Sequence, residues 1–561
     1  MKHQVIGKLV GNTGDPRKIT MVMNSSMAGR RGEFVRIAHQ ELEDEATCDV
    51  LGRIVSITRA NALFDSGMGN SVTELELMPG ARMTGETIIG RIELIGFNDP
   101  KTGQIRIPRR PLDLGAKVQT VDFHFLCRFY EFDEQTGLHI GNLVGYDRGE
   151  NIVPVYLDVN KLATEHLAVL AMTGAGKSYT VGRILERLVA VNNGTVVVFD
   201  PHGEYGRALQ GGHIQFNSKL DDIEDPRDQR AIPEIQRMLE RLREANAGIV
   251  AYSPQIASFR HKYAGINREL ALQFDHFEMD DISEILPGLT EPQQRVLDVA
   301  IRFWRLTERT EPRDINRLRN LLGDGLDELK EWDQLSQAEA SALNGRSAAV
   351  ASLKLARVLS EAQSFYSAAL ASPTDIYEMV GRPSDKKGRL VIVDLQGLSD
   401  TAKQIITALI SSEILQAATS KTDPIRPTFL VYEEGHNFAP AGGAAVSHRI
   451  IKKIASEGRK FGVGFAIISQ RPSKLDPDVT SQCNTLIAMR LKNPDDQRFI
   501  AKTSDMVSQA DLEELPSLST GEALIFGRSI AAPLLVKIGQ KALQHGGESP
   551  NVIKVWGRFG E

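Results

Sequence analysis

The chain has 561 residues, 42% of them hydrophobic, with a formal net charge of −6 at pH 7; this is more than one core can hold and implies three or more modules. A net negative chain excludes a wholly basic nucleic-acid coat, while leaving room for a local basic lining such as that of a ring channel. Cys48, Cys127 and Cys483 are scattered without metal-ligand spacing, the first residues lack the long apolar run of a signal peptide, and no stretch approaches the ~18 apolar residues of a membrane span, so a soluble cytoplasmic protein with no membrane contact is expected.

Residues 1–150 read as a β-rich module. Short apolar runs at 5–10, 33–37, 50–58, 88–95 and 105–107 lie between turn signals, and Asn98-Asp-Pro-Lys-Thr-Gly103 is a hairpin turn. Strands at this spacing predict a small barrel or sandwich, with a role in partner or subunit contact. From 153 the pattern changes to alternating strands and helices, giving an α/β core in 151–271. It contains strands at 153–157, 167–171 and 195–199 (the last ending in Asp200) and a helix over 178–190. Residues 272–375 read as a helical insertion, with helices at 281–285, 291–306, 313–329 and 338–360. The core resumes over 376–540 with strands at 390–393, 428–432, 464–468, 486–489 and 523–526, and 534–538 as a hairpin partner. A tail, 541–561, follows.

The chemistry begins at His-Leu-Ala-Val-Leu-Ala-Met-Thr-Gly-Ala-Gly-Lys-Ser, residues 166–178. An apolar strand entering a glycine-rich turn that opens a helix is a phosphate-binding loop. The backbone N–H groups of Gly174, Ala175, Gly176 and Lys177 can surround a phosphate at the positive end of the helix dipole. Lys177 reaches the outer phosphates and Ser178 is placed to ligate Mg²⁺, with Thr173 and Tyr179 flanking as further nucleotide contacts. Ala171 stands where such loops usually begin with glycine, which fits if its φ is negative.

ATP hydrolysis also needs acids beside the metal and the attacking water. Asp394 ends an apolar strand but Leu395 follows it, so it reads as structural. Glu433 and Glu434 end the strand at 428–432. On an extended chain they point to opposite sides, with Glu433 toward the metal and Glu434 activating water. Asp200 or Glu204, in Asp200-Pro-His-Gly-Glu-Tyr205, could support the Mg²⁺ shell. Gln470, closing the strand at 464–468, is placed to touch the γ-phosphate or its water. In Arg449 to Lys460, an apolar stripe of Ile450, Ile451 and Ile454 leaves Lys452 and Lys453 pointing elsewhere. Arg459 sits after Gly458 ahead of a strand, where it could reach a neighbouring subunit's ATP as a charge-stabilising finger.

Taken with Glu433-Glu434-Gly-His-Asn-Phe438, Ile454 to Gly462 and Ser469-Gln-Arg-Pro472, these motifs and the module order resemble the HerA/FtsK branch of RecA-like hexameric translocases, over essentially the whole chain. The resemblance implies an α/β fold: a RecA-like P-loop NTPase core with an N-terminal β-barrel and a helical insertion. It implies a homohexamer that uses ATP and Mg²⁺ to move double-stranded DNA, partnered by a NurA-type nuclease alongside Mre11 and Rad50 in end resection and double-strand-break repair. By the same resemblance Lys177, Glu434, Arg459 and Gln470 are the catalytic set, and Lys537 and Ile538 of the C-terminal strand approach the nucleotide. The barrel would dock the nuclease. Two departures stand out. Glu165 occupies a position where relatives often carry a basic residue, and the stretch from Ala439 to Val446 is nearly uncharged, which moves attention to Arg449, Lys452 and Lys453 as DNA contacts. DNA binding through phosphates should be sequence-independent and salt-sensitive. The rival expectations are a ring scaffold that activates a nuclease or anti-phage effector, and a protein-remodelling ATPase.

Overall fold

The computed structural model describes residues 4–544, apart from internal stretches of which 62–85, 273–285 and 363–373 are the longest. The expected helix at 281–285 and the tail beyond 544 lie outside the described residues.

Six strands build the first module: β1 (Val5–Asn12), β2 (Lys18–Met23), β3 (Phe34–His39), β4 (Cys48–Asn61), β5 (Glu86–Asn98) and β7 (Lys117–Thr120). They pair antiparallel in the order β2-β1-β7-β3-β4-β5, and β2 returns onto β5 to close a barrel. β6 (Ile105–Arg106) hangs from β5 across the predicted hairpin turn. β2 and β7 escaped the sequence reading. Alternate residues of β2 are buried, and Met21, Met23, Ile37, Ile54, Ile92 and Val118 fill the interior, as a closed sheet with one dry face requires.

A 12-stranded sheet forms the rest. Its strands are β8 (Gly137–Leu143), β9 (Pro154–Asp158), β10 (Leu167–Leu170), β11 (Thr195–Asp200), β12 (Ile249–Ser253), β13 (Asn267–Glu269), β14 (Arg389–Asp394), β15 (Thr428–Tyr432), β16 (Val463–Ser469), β17 (Thr485–Ala488), β18 (Glu522–Gly527) and β19 (Leu534–Ile538). Eight run parallel in the order β13-β12-β14-β11-β15-β16-β10-β17, and β18, β19, β8 and β9 extend the sheet antiparallel. β8 thus belongs to this sheet, although the sequence reading put it in the first module. A boundary at 150 cuts through the β8–β9 hairpin.

Apart from β13, the parallel strands read as continuous apolar runs because both faces are covered. On β11, Val197 and Phe199 enter one core while Val196 and Val198 enter the other. The helix Lys177–Ala190 packs on the second face. The insertion packs on the first: Glu291–Thr307, Ile315–Leu322, Leu326–Lys330, Gln337–Ala342 and Gly345–Ala362 share one core with the sheet through Trp304, Leu355 and Ile406. The two long helices expected at 313–329 and 338–360 are each broken. The first breaks at Gly323-Asp-Gly325, where the Gly323 N–H closes the helix on the Arg319 and Asn320 carbonyls. The second breaks at Leu343-Asn344, after a helix begun by a Ser336–Glu339 capping box.

The barrel is joined to the large sheet by a buried charge cluster. Arg53 of β4 pairs with Asp511, the side chains being 7% and 5% exposed, and Ser508 donates to Glu93 of β5 at 2.9 Å. Among the described residues, no helix is long and apolar enough to cross a membrane.

Candidate nucleotide-hydrolysis site

β10 delivers the phosphate loop between β16 and β17. Gly174 and Gly176 adopt φ of +77° and +102°, which only glycine takes without strain. Ala171 is not among the positive-φ residues, so alanine fits where a first glycine is usual. Gly176 caps the helix Lys177–Ala190, whose first-turn N–H groups face the loop.

Lys177 is buried and its ammonium lies between two carboxylates. It donates to Glu433 and, at 2.8 Å, to Glu434. The strand carrying these acids is not adjacent to β10: β16 lies between them, and the reach of the lysine closes the gap. The expectation that the two acids point to opposite sides is corrected. Glu434 has φ +53° and ψ +47°, a left-handed conformation that costs a non-glycine residue about 1 kcal/mol or more. The backbone turn abolishes strand alternation and brings both carboxylates onto one ammonium.

The two acids differ in their surroundings. Glu433 is fully buried, with Lys177 on one oxygen and the Tyr205 hydroxyl on the other. Burial pushes its carboxyl up to about 7 despite Lys177. Burial would raise Glu434 too, but Lys177 and the Gln470 amide outweigh it and hold the carboxyl below its usual range. Gln470 donates to Oε1 of Glu434 and accepts from Thr173 of the phosphate loop. Among the described residues, Oε2 of Glu434 has His436 beside it, at 3.4 Å, and is the freer acceptor of the two oxygens. For Lys177, burial opposes the charge and the two carboxylates win, raising its pKa. Once Glu433 ionises, above about pH 7, one ammonium between two carboxylates leaves the buried cluster negative.

Ser178 donates to Glu204. Asp200, the other acid considered for the metal shell, is otherwise engaged. Its oxygens accept the N–H groups of Glu204, Tyr205 and Gly206 at 3.0, 2.9 and 3.2 Å, and burial pushes its carboxyl up to about 6. It shapes the loop that presents Glu204 and Tyr205. The donors Ser178, Glu204 and Glu433 are hard oxygen ligands of the kind Mg²⁺ takes. Asp394 accepts from Tyr263 at 2.7 Å and from the Gln396 N–H at 3.0 Å, away from the phosphate loop.

The turn before β18 closes the far side of the loop. Gly521 donates to the Ala175 carbonyl at 3.1 Å and accepts from Ile538 at 2.8 Å, while Thr520 reaches Gly174 at 3.4 Å. Lys537 and Ile538 therefore stand one layer behind the loop. Tyr179 donates to Gln540 at 2.9 Å and lies 5.3 Å from the Lys541 ammonium. Arg459 is elsewhere, at the amino end of β16, paired with Glu165 at 2.9 Å. Arg449, Lys452 and Lys453 are exposed on the helix His448–Glu457, and Lys452 pairs with Asp478. Sequence reasoning missed Tyr205, Thr520 and the Glu204–Ser178 contact. The loop 200–205 was read for its acids, and nothing local marks Tyr205 as a partner of a strand more than two hundred residues away.

A glycine-rich loop with its lysine, an acidic pair one strand removed and a polar residue on the strand between them define a P-loop ATPase with a RecA-like core. The family described as "Helicase HerA, central domain" matches residues 138–414. The DNA double-strand break repair helicase HerA of Pyrococcus furiosus is 28% identical over 91% of this chain and 90% of its own length. The protein of that name from Sulfurisphaera tokodaii is 27% identical over 98% and 96%. Residues 138–414 thus match the HerA central domain, and the chain is similar to HerA helicases over nearly its whole length. Among solved structures, the bacterial conjugative coupling protein TrwB matches 77% of the chain and 94% of its own, at 13% identity and a TM-score of 0.48. VirB4 of Thermoanaerobacter pseudethanolicus covers 73% and 98%, at 15% and 0.45.

Proposed function

We propose that this chain is an ATP-driven translocase on double-stranded DNA. It works as a homohexameric ring with a NurA-type nuclease, alongside Mre11 and Rad50, in DNA end resection. The observation that carries this reading is the separation of two halves of a hydrolysis site within one chain. Lys177, Glu434 and Gln470 gather at the carboxyl edge of the sheet, whereas Arg459 precedes β16 at the amino edge. An arginine there cannot serve its own phosphate loop and is suited to that of a neighbour.

In this mechanism the triphosphate takes the Lys177 ammonium away from Glu433 and Glu434. Glu434, still bonded to the Gln470 amide, then accepts through Oε2 a proton from the water that attacks the γ-phosphorus as ADP leaves, and Gln470 ties that carboxylate to the phosphate loop through Thr173. Bound Mg²⁺, held by Ser178 with Glu204 and Glu433 beside it, would neutralise charge on the phosphates. Arg459 from the neighbour stabilises the charge on the transferred group, and its loss after hydrolysis loosens the interface.

Two measurements test the reading. Glu434→Gln should keep ATP binding and lose turnover by about 10²-fold or more; wild-type turnover would refute the assignment. Double-stranded DNA should stimulate ATPase without any nuclease present. A ring that merely scaffolds an effector would show no such response.

A further inference from the structure

Glu165 is 5% exposed in its side chain and binds two arginines at once. Oε1 lies 2.9 Å from Arg459 and Oε2 lies 3.3 Å from Arg528, and both arginine side chains remain more than half exposed, at 57% and 59%. The three residues come from distant parts of the chain. Glu165 ends the helix before β10, Arg459 precedes β16, and Arg528 follows β18. Because β18 runs antiparallel to β17, its end returns to the amino edge, beside the starts of β10 and β16. All three thus sit at the edge opposite Lys177 and Glu434.

The backbone under this trio is tightly fixed. Asn484 donates to the Glu165 carbonyl at 2.9 Å, and the Arg528 N–H donates to the Asn484 carbonyl at 2.8 Å. His166, next to Glu165, stacks on Phe465 at 4.3 Å. Its Nδ1 accepts the Phe465 N–H at 3.3 Å and Nε2 faces the Ala455 carbonyl at 3.1 Å. That link ties the helix leading to Arg459 to the same frame.

A single carboxylate between two guanidiniums leaves net positive charge at the surface. Each guanidinium has five N–H donors in a rigid fork, and one carboxylate oxygen per arginine leaves most of them unspent. Such a pair, braced from below and open above, suits an anion with several oxygens in fixed geometry.

We propose that Arg528 is a second arginine which, with Arg459, grips the polyphosphate of ATP bound to a neighbouring copy of this chain, and that Glu165 is the positioning residue for both. The proposal rests on the shared-site reading above and adds to it a residue and its support.

The test uses full-length protein. Arg528→Ala should keep the wild-type unfolding midpoint while turnover falls at least about tenfold, and Arg528→Lys should recover only part of it. Mixing Arg528→Ala subunits with Glu434→Gln subunits, which lack a working acid but carry intact arginines, should restore turnover above either variant alone. Glu165→Gln should be weaker in effect and rescued by the same mixing, which a purely structural role would not allow. Full turnover in Arg528→Ala overturns the proposal. So does a defect that mixing fails to repair while Arg459→Ala is repaired, an outcome that leaves the shared site standing. Failure of Arg459→Ala to be repaired would instead bring down the shared-site reading and this inference with it.

Discussion

Replacing Lys177 with methionine removes the counter-charge from two buried carboxylates, and the penalty should depend on pH in a defined way. The side chains of Lys177, Glu433 and Glu434 are 6%, 0% and 5% exposed, so water does not screen the change. Removing one partner of a buried ion pair costs about 3–5 kcal/mol. Glu433 already titrates at about 7 with the lysine present, well above an unfolded glutamate near 4.3. Without Lys177 its carboxyl must rise further. A carboxyl raised in the folded state stabilises fully below its unfolded pKa, and that contribution is lost as pH climbs through the folded pKa. Near pH 5 Glu433 is protonated in wild type and variant alike, and the variant loses chiefly the contact with Glu434. Above pH 7 wild type ionises Glu433 against its ammonium, while the variant must hold the proton or bury two unpaired charges. The stability gap should therefore widen by up to about 1.4 kcal/mol for each pH unit above 7 until the variant's own pKa is reached. Thermal unfolding without nucleotide, run from pH 5.5 to 8.5, reads this directly. Adding Glu433→Gln to Lys177→Met should recover most of the loss at pH 8.5 and little at pH 5.5. A penalty independent of pH, or one that Glu433→Gln leaves unchanged, would refute the shared-ammonium account.

Two other substitutions probe distinct parts of the molecule. Gln470→Ala cuts the bridge from Thr173 to Glu434 and should lower kcat about tenfold with little change in ATP affinity; weaker binding at unchanged kcat would assign Gln470 to ground-state contact instead. Arg53→Met strands the buried Asp511 at the barrel joint and should cost about 3–5 kcal/mol. Adding Asp511→Leu should return much of that, and a double-mutant cycle with no coupling would show that the pair does not hold the barrel to the core.

The phosphate loop, the acidic pair and Gln470 were legible because each is a short local pattern: an apolar run of strand length followed at once by the residues that do chemistry. Most parallel strands were legible for the same reason, since burial on both faces makes their sequences uniformly apolar. The short strands β2, β7 and β13 are not so marked; they are strands by virtue of their neighbours. The turn at Glu434 was hidden because the reading assumed an ideal strand up to its last residue, and nothing in Tyr432-Glu433-Glu434-Gly435 announces a left-handed glutamate. Contacts such as Tyr205 with Glu433, Arg53 with Asp511 and Glu165 with Arg528 join residues hundreds of positions apart. Only the folded topology brings them together.

β16 links the two edges on which the hydrolysis scheme depends. All seven of its residues, Val463 to Ser469, are buried. Gln470 follows at the carboxyl end, where it holds Glu434 and Thr173, and Arg459 lies just before the amino end, where it meets Glu165. The strand is hydrogen-bonded on both sides, to β10 and to β15, the strands that carry the phosphate loop and the acids. A close-packed strand cannot shorten or buckle to absorb a displacement at one end. A shift of Gln470 as the γ-phosphate arrives or leaves must be taken up by its partners at one edge or passed along the strand toward Arg459 at the other. Because Gly458 opens the single helical turn that carries Arg459 and Gly462 ends it with φ +71°, the backbone there can reorient while β16 itself stays intact. Under the proposed shared-site scheme, these seven buried residues would join a group that contacts the chain's own phosphate loop to the arginine meant for its neighbour.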